Sequence, residues 1–140
     1  MTRDNQVVAT FDSQQEAAEE STELAGFEVL TVEGLPDGFA VSGFEVPTGF
    51  PGAAVRRVQV AVESDTGGLL VEQLNSRAAI DGADELDASE PGDYLRRQTG
   101  RGFTYYLVTD DRTFTISTQR PDTLTDEEAL RVLTQFASRL

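Results

Sequence analysis

Val58, Val60 and Val62 alternate with Arg57, Gln59 and Glu63, a period of two that predicts a half-buried strand beginning near Val55. SDTGG at 64–68 turns the chain back, so LLVEQL at 69–74 is expected to pair with it as a hairpin. A second hairpin is read from DYLRRQ at 93–98 and FTYYLV at 103–108, which flank the Gly-rich TGRG. TDDR then reverses the chain. Beyond it, Phe114 and Ile116 face one way and Thr113, Thr115 and Ser117 the other, the alternation of an edge strand. FEVLTV at 27–32 is rich in strand formers and predicts a strand running into a turn bracketed by Pro36 and Gly38. A further strand is expected over Ala40 to Val46, and PTGFPG at 47–52 predicts a loop. Residues 1–10 read as a loose arm or a short lead-in strand around Val7 and Val8, and 11–140 as a single domain.

Helical spacing occurs at both ends. Ser13 and Glu16 form a capping box, Ala17, Ser21, Leu24 and Ala25 supply a thin apolar stripe, and Gly26 suits a left-handed C-terminal cap. Such an Ala-rich helix needs a sheet to lie on. Near the end, Thr125 and Glu128 make a second capping box, and Leu124 can staple against Ala129. Ala129, Leu130, Leu133, Phe136, Ala137 and Leu140 then form a broad stripe, with acids in the first turn and Arg139 in the last. The expected fold is α+β: a single antiparallel sheet, a meander of about six or seven strands, with the N-terminal and C-terminal helices packed on one face and the other face wetter.

Composition narrows the chemistry. The chain has 140 residues and no His, Cys or Trp, and all 11 of its cations are Arg. Triads built on His, thiol nucleophiles, Schiff-base lysines and zinc sites of His or Cys cannot be assembled from it. Asp and Glu number 25, for a formal net charge of -14, which argues against nucleic acid as a ligand. The same acidity keeps a protein soluble. Zero Lys with acidic surfaces suggests a prokaryotic source, through either GC-rich coding or salt adaptation. No apolar run has the length of a signal or of a membrane span, so a membrane is expected to enter only through an anchor outside this sequence.

The stretch AGFEVLTVEGLPDGF at 25–39, preceded by EAAEES, resembles the opening of a bacterial and archaeal domain of unknown function. That family commonly forms the extracytoplasmic part of membrane-anchored anti-sigma factors and of lipoproteins. Its order of a helix ending in GF, a short strand and LP-x-GF before a long meander is similar to the order here. The tyrosine-containing strand, the polar hairpin and the closing LTDEEALRVLTQFASRL helix follow in the same sequence. The Trp frequent before the family's last hairpin is absent. The resemblance covers nearly all of the chain from Phe11 onward and implies a tethered extracytoplasmic domain. A further likeness to curved, lipoprotein-carrier sheets implies a ligand or peptide groove.

Four groups of residues stand out. Arg96, Arg97 and Arg101 beside Tyr94, Phe103, Tyr105 and Tyr106 concentrate cations and rings in an acidic protein. Tyr94, Arg96, Arg97, Arg101, Tyr105 and Tyr106 are therefore the candidate binding residues for an anionic or peptide partner, the alternative being local neutralisation by neighbouring acids. Removing Arg96 and Arg97 together is expected to leave the melting temperature nearly unchanged. Asp81, Asp84, Glu85, Asp87, Glu90 and Asp93, in DGADELDASEPGD at 81–93, lack the spacing of a calcium loop and read as a solvated run, so no metal or cofactor is expected. Phe27, Phe39, Phe44 and Phe114 suit either a core or an apolar pocket. The fourth group is the many carboxylates, from which no catalytic pair can be singled out. The sequence thus favours a non-enzymatic sensory or interaction domain that binds a protein or peptide. A carrier with a hydrophobic groove for a lipidic ligand and a small carboxylate hydrolase are the alternatives.

Overall fold

A computed structural model describes residues 5–8, 13–47, 57–65, 67–120 and 122–140; apart from Pro47, the expected loop at 47–52 lies outside them. In chain order the elements are β1 (Asn5–Val8), α1 (Gln14–Ala25), β2 (Ala40–Pro47), β3 (Arg57–Glu63), β4 (Leu69–Leu74), β5 (Asp84–Leu86), β6 (Asp93–Thr99), β7 (Gly102–Val108), β8 (Thr113–Thr118) and α2 (Asp126–Ala137). The strands form one antiparallel sheet with α1 and α2 on the same face, the α+β class expected from the pattern.

Connectivity departs from a simple meander. The spatial order is β1-β2-β3-β4-β8-β7-β6-β5, so two four-stranded meanders meet along β4 and β8. After β4 the chain crosses the face away from the helices to reach the far edge. Ala78 N–H donates to Thr113 Oγ1, Thr113 Oγ1 donates to Ser76 O, and Arg97 Nη1 donates to Asp81 O, which ties this crossover over β8 and β6. It closes the second face over β6–β8, while over β2–β4 that face stays open, with Ala61 exposed and Leu70 37% exposed. β8 is therefore central rather than an edge. Its Thr113 and Thr115 are buried along with its Phe114 and Ile116, because alternation reports which face a residue takes and not how many neighbours its strand has.

The pairing register lays out one row on the helix-covered face: Phe44, Val60, Val71, Ile116, Tyr105, Arg96 and Asp84. The row one residue away, on the other face, reads Gly43, Ala61, Leu70, Ser117, Thr104 and Arg97. The first is apolar until its last two members, and it carries the core.

The helices begin and end as their caps dictate. Ser13 Oγ accepts from Glu16 N–H, and Gly26 closes α1 in the left-handed region at φ 83°, where a side chain would be strained. α1 buries Ala17, Ala18, Ser21 and Ala25, and the expected Leu24 turns out to be 41% exposed. At α2 both halves of the Thr125–Glu128 capping box form, and Ala129, Val132, Leu133 and Phe136 are buried. Leu140 is 53% exposed, beyond the helix end.

The expected strand at 27–32 is not in the sheet. α1 lies against β1–β3 and α2 against β7 and β8, which leaves the β4 seam to be covered by something narrower than a helix. An extended strap of residues 27–32 fills it, burying Phe27, Val29, Leu30 and Val32. With no neighbouring strand, its backbone pairs with side chains. Leu30 N–H donates to Gln73 Oε1 (2.8 Å) and Gln73 Nε2 donates to Leu30 O (2.7 Å). Gln14 does the same for Val32, and Thr22 Oγ1 accepts from Val29 N–H at 2.9 Å. Arg139 Nη2 donates to Thr31 O at 2.8 Å. A Gln amide offers one donor and one acceptor, as a peptide group does, so the buried backbone groups are satisfied without a ladder.

Candidate functional site

The six candidate residues are divided by the pleat. Tyr94, Arg96 and Tyr105 lie on the helix-covered face, Arg97 and Tyr106 on the other, and Arg101 is exposed in the turn between β6 and β7. Tyr94 and Tyr105 are only 3% and 1% exposed, so neither can offer its ring to a partner. The structure thus brings together two smaller groups rather than one surface.

The first group locks α2 to the sheet. Asp126, the first residue of α2, accepts from Tyr105 Oη at 2.7 Å through Oδ1 and from Arg96 Nη1 at 2.6 Å through Oδ2. Arg96 also stands 3.7 Å from Asp84, its register partner on β5, and its guanidinium lies 5.0 Å from the Phe103 ring centroid. Partial burial favours the neutral form of the Asp126 carboxyl, but the hydrogen bonds from Tyr105 and Arg96 outweigh it and hold the group below the usual carboxylate range. Burial and the bond to Asp126 raise the Tyr105 phenol, and the same carboxylate raises Arg96. Arg96 therefore belongs to the fold, and the expectation that its removal leaves the melting temperature unchanged does not fit this geometry. Tyr94 is pushed up to about 12 by burial and by Glu90.

The second group lies beneath the crossover, with Tyr106 5% exposed and Arg97 half-buried. Arg97 lies 5.5 Å from the Tyr106 ring centroid and donates to Asp81 O at 3.2 Å. From there a hydroxyl ladder runs across the same, crossover-covered part of the face, with Thr99 to Thr104 at 2.9 Å and Thr104 to Ser117 at 3.3 Å. At the other end, Ser42, Gly43, Phe44, Glu45, Gln59, Ala61 and Leu70 shape a shallow groove of 310 Å³.

The loop acids are partly drawn into the fold. Asp93 pairs with Arg77 at 3.3 Å, and Asp84 faces Arg96. Among the described residues no group of three or more acids is placed to hold a metal ion. Phe27, Phe44 and Phe114 are core residues, with Phe39 packed at its margin, and Phe114 stacks on Phe136 with centroids 4.4 Å apart.

Three side chains that hold the fold together escape a reading by local spacing: Gln73, Gln14 and Arg112. Arg112 is 8% exposed between the Phe27 and Phe114 rings, at 5.1 and 5.0 Å, with Nε donating to Leu74 O. Burial lowers its pKa, opposed by Asp111 and Glu28. Nothing in TDDR distinguishes this Arg from a solvated one.

No helix among the described residues is long and apolar enough to cross a membrane. The chain matches no protein-family model, no curated protein and no solved structure.

Proposed function

We propose that this is a non-enzymatic interaction domain that binds a protein or peptide, working outside the cell membrane as the tethered part of a regulator or lipoprotein. The observation that supports it is the filled interior. Phe44, Phe114, Phe136, Tyr105 and Leu107 are each at most 1% exposed in one continuous core between sheet and helices, where a lipid carrier would need a chamber. The buried polar side chains among the described residues are Ser, Thr, Gln and Arg, so a pair of sequestered carboxylates for acid–base hydrolysis finds no support. What the molecule offers a partner is its surface. The tether and the location rest on the likeness of 25–39 and of the closing helix to extracytoplasmic domains.

Selection from a display library of short random peptides on the immobilised chain tests the reading. Sequences are expected to be enriched that bind this domain and not an unrelated protein of equal charge; failure to enrich any would sink it. The Arg97→Ala, Arg101→Ala double variant then shows whether the open end of the β6–β7 hairpin takes part.

A further inference from the structure

We infer that the partner presents an acidic side chain to Arg101 and Arg120, at the end of the sheet where the β6–β7 turn meets the chain leaving β8, an inference that rests on the interaction reading above. The arginines of the fold divide by what they bond. Arg57, Arg77 and Arg96 pair with carboxylates, and Arg97, Arg112 and Arg139 donate to backbone carbonyls. Of the described arginines this leaves Arg101, Arg120 and Arg131, all exposed and with no ion pair or side-chain hydrogen bond among the described residues. Two of these three stand together.

The backbone sets that pair. Thr99 pairs with Gly102, so Gly100 and Arg101 alone make the turn and Arg101 stands at its tip. The turn is pressed against β8: a side chain at Gly102 would collide with the carbonyl of Thr118, and Phe103 N–H donates to Thr118 Oγ1 at 3.0 Å. Thr104 pairs with Ser117, and the same register continued past the strand end sets Arg101 opposite Arg120. Residues so opposed lie about 4.5–5.5 Å apart, within reach of a single carboxylate. Beyond β8 the chain turns, with Thr123 N–H donating to Arg120 O at 3.3 Å.

Charge selects the occupant. Like charges directly opposite one another on a sheet are unfavourable, and this pair stays without a counter-ion although Asp65 and Asp122 are exposed in the adjoining turns. A carboxylate accepts from two guanidinium forks at once and relieves the repulsion. The field of a chain at a formal net charge of -14 opposes a polyanion, but exposed charges are screened beyond about 8 Å at physiological salt. The occupant is therefore compact: one or two adjacent acidic residues in an otherwise neutral segment.

Amide NMR of the isotopically labelled full chain, titrated with a capped Ser-Gly peptide carrying two adjacent Glu, tests the inference beside the same peptide with Gln in their place. Saturable shifts are expected at Gly100 to Gly102 and at Gln119 and Arg120 with the Glu peptide alone. Arg101→Gln and Arg120→Gln are each expected to weaken binding about threefold or more. Arg131→Gln changes the net charge equally and is expected to leave binding unaltered. All three variants are expected to keep the melting temperature of the parent, since none of these side chains has a partner to lose. Equal binding of the Gln peptide, equal loss in Arg131→Gln, or shifts scattered over the surface would each overturn the site. A fall in melting temperature with Arg101→Gln or Arg120→Gln would assign these cations to the fold instead. If library-selected peptides bind and are indifferent to both arginines, the interaction reading stands and this site falls. If neither the library nor the Glu peptide binds, both fall.

Discussion

The two halves of the sheet hold their helices by opposite means. Over β7 and β8, α2 is fixed by bulk and charge: Phe136 stacks on Phe114, and Asp126 grips Tyr105 and Arg96 at the first turn. Over β1–β3, α1 presents Ala17, Ala18, Ser21 and Ala25, which permit close approach but bury little, and its hold is completed by the strap bound to Gln14 and Thr22. One helix is anchored by what it buries and the other by what it shares with a neighbouring segment. A thin apolar stripe is therefore not a weak element when a third chain segment is hydrogen-bonded to it.

The largest expected effect is on the bulk side. Phe136→Ala leaves a cavity against Phe114 and is expected to cost about 3–5 kcal/mol in urea unfolding. A loss under about 1 kcal/mol would mean that stacking is not what fixes α2. Next, Gln73→Leu keeps the volume but strands Leu30 N–H and C=O in the core, at about 2–3 kcal/mol for the two together. Hydrogen exchange at Leu30 and Val32 is expected to quicken while α2 amides keep their protection; uniform quickening would show that strap and α2 open as one unit.

The smallest effect concerns the latch. The folded-state pKa of Asp126 is depressed, so its stabilisation is complete above the unfolded pKa of about 3.9 and disappears as pH falls through the lower folded value. Asp126→Asn is expected to be about 1 kcal/mol less stable than the parent at neutral pH, the latch being half open to water. The gap should stay constant down to about pH 5 and close below about pH 4. A gap that persisted in acid would assign the loss to packing instead of charge.

Much of this was legible in sequence because it is local. The capping box at Thr125, the alternation at Val58 to Val62 and the turn at TGRG each act within a few residues, and each element stands where its pattern puts it. The strap was not. FEVLTV has the composition of a strand, and what denies it a ladder is the amide of Gln73, 43 residues away on β4. The candidate site was half legible for a related reason. Arg96 and Arg97 are neighbours in the chain, but the pleat sends one to the carboxylate of Asp126 on α2 and the other to the opposite face, against the crossover. Residue type marked the region; only the register decided which cation belonged to the interior and which to the outside.

The seam between β4 and β8 has a kinetic consequence. Its partners run from Leu74 with Thr113 to Leu69 with Thr118, each joined by a long stretch of chain, whereas the hairpins β3–β4, β6–β7 and β7–β8 are sequence neighbours. Loop-closure entropy rises slowly with length, so this non-local pairing takes little from the final stability, but it raises contact order and slows folding. The hairpins within each half, β3–β4 on one side and β6–β7–β8 on the other, can zip early from their turns. The rate at which the whole molecule becomes native is then set by how soon they find one another.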